Sequence, residues 1–100
     1  MNNCCTTHKD LKEIADLASV LKIISEPNRL RILCLLKSGT KCVCEIQEAL
    51  KLKQNLVSHH LGILRNAGLI DYDKNKQWKH YFLDKKNIMF YKGIFNKLLT

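Results

Sequence analysis

A mainly helical domain with one β-hairpin is the fold class this chain predicts, and three observations carry it. Apolar residues recur at helical spacing through the first two thirds of the sequence, two of those helices are joined by only three residues, and near residue 70 the hydrophobic period falls from about 3.6 to about 2. Leu11, Ile14, Ala15, Ala18, Leu21 and Ile24 mark a first helix over residues 9 to 25, ended by Ser25-Glu26-Pro27. Pro27 suits the first turn of a second helix, where its fixed φ is already helical and its missing N–H has no partner to lose. Leu30, Leu33 and Leu36 supply the apolar face of that helix and Ser38-Gly39 stops it. A short third helix, capped by Thr40 or its neighbour, runs through Ile46, Ala49 and Leu50. Lys51-Leu52-Lys53 leads into a fourth helix over residues 54 to 66, terminated by Ala67-Gly68. So short a connection makes helices three and four a helix-turn-helix.

Beyond it, Ile70 and Tyr72 alternate with Asp71 and Asp73, and after the turn Lys74-Asn75-Lys76 the run Gln77-Trp78-Lys79-His80-Tyr81-Phe82-Leu83 alternates again. This is the hairpin, and Lys74, Lys76 and Lys79 at or near its tip give it a basic edge suited to phosphate or minor-groove contact. Ile88, Tyr91, Ile94, Phe95 and Leu98 then line one side of a closing helix. The first and last helices carry more apolar surface than so small a core needs, which predicts a symmetric dimer formed through those two helices. Residues 1–8 form a flexible tail carrying Cys4-Cys5, and residues 9–100 form one domain with no repeats or linker.

One hundred residues, 46% hydrophobic and 26% charged, fit an ordinary soluble domain, and the longest apolar runs are far too short to cross a bilayer. The first residues lack a positive flank followed by an apolar stretch, so no secretory signal is read and a cytoplasmic location is expected. The net charge of +8 is unevenly placed: residues 1–50 hold seven Lys and Arg against six Asp and Glu, residues 51–100 ten against three. Basic charge concentrated in the half that carries the fourth helix and the hairpin points to a polyanion, because each phosphate neutralised releases condensed counterions.

Five cysteines are an odd number, and their clustering as Cys4-Cys5 and Cys42-Val43-Cys44 does not resemble a secreted disulfide framework. In a reducing compartment such clusters bind metal or react. Cys34, within Leu30-Arg31-Ile32-Leu33-Cys34-Leu35-Leu36, reads instead as a small core residue. At about 100° per residue, Val57, His60, Leu61 and Leu64 share one face of the fourth helix, and Asn55, Ser58, His59, Gly62 and Asn66 share the other. No acidic residue occurs from Lys51 to Ile70, which lets that polar face approach base edges without repelling phosphate. Gln54, Asn55, Ser58 and His59 are the expected base or phosphate contacts, with Arg65 on a phosphate.

Taken together, Glu26-Pro27-Asn28-Arg29-Leu30-Arg31-Ile32-Leu33, Cys42-Val43-Cys44-Glu45-Ile46, Ser58-His59-His60-Leu61 and Leu64-Arg65-Asn66-Ala67-Gly68-Leu69-Ile70, in that order, resemble the ArsR/SmtB family of metal-responsive repressors over nearly the whole chain. The resemblance implies a homodimeric winged helix-turn-helix that binds an inverted repeat in double-stranded operator DNA and lets go when metal binds. Two-fold related recognition helices would then address half-sites about one helical turn, or a multiple, apart.

Thiolates select soft or borderline ions, so As(III), Sb(III), Cd(II), Pb(II), Bi(III) and Zn(II) are the expected inducers and Mg(II) and Ca(II) are not. Positions i and i+2 of a regular helix diverge by about 200°, so Cys42 and Cys44 can share one ion only where the helix start is distorted. Lys41 and the helix N-terminus would favour their thiolate forms. Two ligands make an incomplete site. An arrangement in the family places a third cysteine three residues after the second, where this chain has Gln47; another draws cysteine from the N-terminal segment, which Cys4 and Cys5 fit. The metal set expected is therefore Cys42, Cys44 and one or both of Cys4 and Cys5, with His8 a lesser candidate. The last helix lacks the Asp and His of a second zinc site known in the family, and lacks the cysteine that would pair with Cys34 in a sulfur-sensing arrangement. A thiol-redox repressor on the same scaffold, or a metal buffer without a DNA role, are the alternative readings. No nucleophile-base constellation or phosphate loop marks an enzyme.

Overall fold

The computed structural model describes residues 7–75 and 77–99. Thr7 opens the first helix, α1 (His8–Ile24), by accepting the Asp10 amide on its hydroxyl at 3.0 Å. Glu26 does the same for α2 (Pro27–Leu36), taking the Asn28 amide on Oε1 at 3.1 Å, with Pro27 at the first position as its φ allows. Gly39, at φ +133°, turns the chain after α2. Residues 41–42 then form a short strand, β1 (Lys41–Cys42), before α3 (Val43–Leu50), α4 (Gln54–Asn66), β2 (Ile70–Tyr72), β3 (His80–Leu83) and α5 (Lys85–Leu99).

The three strands make one antiparallel sheet in the order β1-β3-β2, with Lys41 opposite Tyr81, Cys42 opposite His80, and Tyr72 opposite Tyr81. This corrects two expectations. The cap of α3 is Cys42 rather than Thr40 or Lys41, because residues 41–42 are drawn into pairing with β3. The strand expected from Gln77 begins at His80: the Asp73 amide donates to the His80 carbonyl at 3.0 Å, leaving residues 74–75 and 77–79 in the wing loop, at whose start Asp73 Oδ1 accepts the Asn75 amide at 2.9 Å.

The core lies where α2, α3 and α4 meet the root of the sheet, with Ile32, Ile46, Val57 and Leu64 sealed from solvent and Leu36, Leu50, Leu61, Leu69, Ile70 and Tyr81 around them. Helices α1 and α5 pack on the outside of it, tied to each other by Lys97, whose Nζ reaches Glu13 at 2.7 Å and Asp10 at 3.3 Å. Leu17 and Val20 are the buried apolar residues of α1 while Leu11 and Leu21 are exposed; in α2, Ile32 and Leu36 point inward and Leu30 outward. Cys34 is likewise exposed rather than in the core. It follows Ile32 by two residues, about 200° round the helix, and so faces a groove of about 540 Å³ between α1, α2 and α5, lined among others by Leu21, Leu30, Leu33 and Phe95.

Candidate nucleic-acid interface and thiol site

The division of α4 follows its sequence pattern. Val57, His60, Leu61 and Leu64 are buried, and Gln54, Asn55, Ser58, His59, Gly62 and Asn66 form a continuous exposed face. A Cβ built on Gly62 would meet nothing within 4 Å, so this glycine leaves a shallow place in the middle of that face without any need of the fold. Lys53, the N-cap of α4, makes no side-chain cap hydrogen bond, which leaves the amides of the first turn open to an anion.

Arg65 at the other end is engaged within the protein. Its Nε donates to Asp71 Oδ1 at 2.9 Å and its guanidinium carbon lies 4.4 Å from the centroid of the Tyr72 ring. The hydrogen bond from Arg65 holds the Asp71 carboxyl below the usual carboxylate range and raises Arg65 in turn. This pair fastens the end of α4 to the first strand of the wing. Lys79 Nζ sits 4.8 Å from the centroid of the same Tyr72 ring, and Lys74 is exposed on the loop. Lys76 lies outside the described residues. Trp78, read from the sequence only as part of the hairpin's alternation, is 70% exposed beside Lys79.

The thiols sit where β1 becomes α3. Cys42 is extended (φ −80°, ψ 164°) and caps α3: its Sγ accepts the Glu45 amide at 3.4 Å while Glu45 Oε1 accepts the Cys42 amide at 3.0 Å, a capping box with sulfur in place of the usual hydroxyl. Because Cys42 stands outside the helical path, the divergence expected of i and i+2 positions does not arise. Its sulfur meets that of Cys44 in a disulfide, with Cα atoms 5.4 Å apart. Two sulfurs that can bond to each other can, once reduced, face one soft ion, so the donor set fits the ions expected. Two sulfurs do not complete a site, and no group of three His, Cys, Asp or Glu able to hold a metal occurs among the described residues. Cys4 and Cys5 lie outside them. His8 is exposed at the start of α1. The Cys42–Cys44 pair opens on a groove of about 690 Å³ that also takes in Gln47, Gln54, Trp78 and His80, placing the thiols between the start of α4 and the base of the wing loop.

No described helix is long and apolar enough to cross a membrane. Residues 26–72, which span α2, the helix-turn-helix and β2, match the family described as bacterial regulatory protein, arsR family. The chain is 42% identical over 67 residues to an uncharacterised helix-turn-helix-type transcriptional regulator of Methanocaldococcus jannaschii, covering 66% of this chain and 75% of that protein. It is 38% identical over 77 residues to the arsenical resistance operon repressor of Staphylococcus xylosus, covering 72% and 74%. Among solved structures, a possible transcriptional regulator for arsenical resistance superposes with a TM-score of 0.71 at 28% identity over 80% of this chain and 83% of that one.

Proposed function

The chain belongs to the arsR family of bacterial regulatory proteins and is a DNA-binding repressor on a winged helix-turn-helix, and from that premise we propose that a thiophilic ion at Cys42 and Cys44 is its inducer. One observation carries the reading: the two sulfurs converge at the joint between β1, which belongs to the wing sheet, and α3, which begins the helix-turn-helix. An ion such as As(III), Sb(III), Cd(II), Pb(II), Bi(III) or Zn(II) supplies strong bonds to thiolate. When Cys42 turns its sulfur to that ion, the Glu45 amide loses its acceptor, the start of α3 loosens, and the β1–β3 pairing at Cys42 and His80 shifts with it. Wing and recognition helix then leave the register that fits DNA, and the operator is released. Cys4 or Cys5 completes the coordination, from the same or the partner subunit.

On the DNA side, Gln54, Asn55, Ser58 and His59 face base edges and backbone in the major groove, and Lys74, Lys76 and Lys79 reach flanking phosphate. The functional unit is a homodimer through α1 and α5, whose two α4 helices read an inverted repeat. The deciding experiment is fluorescence anisotropy of a labelled duplex from the chain's own promoter, bound to reduced metal-free protein and titrated with each ion. Release by one ion in the wild type, absent in Cys42→Ser, is the expected outcome. Release by no ion with DNA binding intact overturns the metal reading.

The Cys42–Cys44 disulfide favours a second reading, in which the inducing event is oxidation of the dithiol. A peroxide would take two electrons and two protons from the thiols and leave as alcohol and water, and the disulfide would hold the joint. Release by peroxide, reversed by dithiothreitol and indifferent to metal, is its signature.

A further inference from the structure

One polar side chain of α4 points into the protein rather than out. His60 is only 9% exposed, and both ring nitrogens meet charged groups at the start of α2: Arg29 Nε donates to Nδ1 at 3.2 Å, and Glu26 Oε2 lies 3.4 Å from Nε2. A guanidinium offers donors only and keeps its charge. Nδ1 must therefore present its lone pair to Arg29, which leaves the ring neutral with its single proton on Nε2, facing Glu26. That Glu26 oxygen is buried and makes no hydrogen bond among the described residues, the 3.4 Å approach of Nε2 included, while Oε1 is occupied as the cap of α2. Through its other arm, Arg29 NH1 donates to the Ile23 carbonyl at 3.1 Å in the last turn of α1. A single neutral imidazole thus links the DNA-reading helix to the junction of α1 and α2.

We propose that His60, as the neutral Nε2–H tautomer, is the positioning residue that holds α4 against the α1–α2 junction, and that a proton added to its Nδ1 releases Arg29 and weakens DNA binding. The argument is one of hydrogen-bond polarity. Protonated, Nδ1 becomes a donor facing a donor, and two cations stand where a hydrogen bond was. Glu26 gains from the change and Arg29 loses, so the ring and Arg29 can no longer both keep their places. His59, on the same helix, also faces the ring, with ring centroids 5.6 Å apart. His60 itself faces away from the DNA-reading surface, so any effect it has on the operator passes through the position of α4.

This rests on the DNA-binding reading, and the test separates the two. A long-range proton-nitrogen correlation spectrum of the imidazoles, recorded on the reduced protein without DNA at about pH 7.5, should assign Nε2–H to His60; an Nδ1–H tautomer or an imidazolium there overturns the proposal whatever the DNA does. Anisotropy with the promoter duplex, measured on either side of the pH at which that same spectrum shows His60 gaining its second proton, should show wild-type affinity falling by about tenfold, the size of one hydrogen bond to a charged group. The sign is diagnostic, because protonating a histidine on the DNA face would strengthen binding to phosphate instead. His60→Gln can accept from Arg29 through its amide oxygen without titrating, so its affinity should no longer fall with acid. Wild-type affinity that is flat or rises with acid, or the wild-type slope persisting in His60→Gln, overturns the proposal.

Discussion

Cys42 serves two chemistries through one sulfur, and they can be separated. As the cap of α3 it needs only an acceptor for the Glu45 amide, and a serine hydroxyl is among the best of these. As an ion ligand it needs a thiolate. Cys42→Ser is therefore expected to keep its stability or gain up to about 1 kcal/mol in urea denaturation, while losing its response to the inducing ion. A loss above about 1 kcal/mol would mean that the sulfur packs as well as caps. The Arg65–Asp71 pair makes a pH-dependent contribution of known sign. With the Asp71 carboxyl held low by Arg65, the pair stabilises the fold above the unfolded-state carboxylate pKa of about 4 and loses that contribution as pH falls through the depressed folded value. The two side chains are 35% and 45% exposed, so solvent screening keeps the effect small. Asp71→Asn should thus destabilise at pH 7 and progressively less as pH falls below the ordinary carboxylate range, as denaturant titrations across that span would reveal.

At the scale of elements, α4 carries a residue the fold does not ask for. Gly62 is helical, exposed and surrounded by open space, and glycine in a helix interior costs about 0.5–1 kcal/mol relative to alanine. Gly62→Ala should recover that amount in thermal or urea unfolding. Gly62→Gln should stay folded yet lose about tenfold or more in operator affinity, equivalent to about 1.4 kcal/mol, because a long side chain then stands between the polar face and the bases. Operator affinity unchanged in Gly62→Gln would move the contact surface off the middle of α4. The wing makes a different kind of contact: Lys74→Ala should weaken binding evenly across sequences and lower the slope of log affinity on log salt by about 0.9.

How far these elements could be read beforehand depends on whether their information is local. Five helices and the hairpin announce themselves in apolar period and turn residues. β1 does not, because two residues have no period, and Lys41 and Cys42 become a strand only by pairing with Tyr81 and His80, far along the chain. Cys42 becoming a cap, and its sulfur turning toward Cys44, follow from that distant pairing. The partition of α4 into a buried and an open face was legible from its side chains alone. The hidden role of His60 was not, since polarity at one position says nothing about Glu26 and Arg29 closing round it. Periodicity also finds a stripe without naming what covers it, so Leu11 and Leu30 mark their helices and yet lie exposed, and Cys34, expected in the core, lies outward too.

For the whole molecule, that uncovered stripe is the main unbalanced term. Leu11 and Leu21 on α1, and Met89, Phe90, Phe95 and Leu99 on α5, are exposed on the two helices that lie outside the core, and Met89 and Leu99 are 63% and 67% accessible. Apolar side chains gathered on two adjoining helices mark an interface, each buried one being worth about 1.5–3 kcal/mol on association before its costs. Lys97 bound to Asp10 and Glu13 keeps α1 and α5 together as one such surface. A symmetric pairing through it would make the homodimer proposed above and present two α4 helices to an inverted repeat. Leu21→Glu with Phe95→Glu places charges in that surface without touching the core, so sedimentation equilibrium should find a folded monomer, with the helical circular dichroism of the wild type. Operator affinity should fall by about a hundredfold or more, since one α4 then binds without the effective concentration its linked twin supplies. A double variant that remains dimeric would place the interface elsewhere, and one that is monomeric yet binds the operator as tightly as the wild type would show that a single copy carries the recognition.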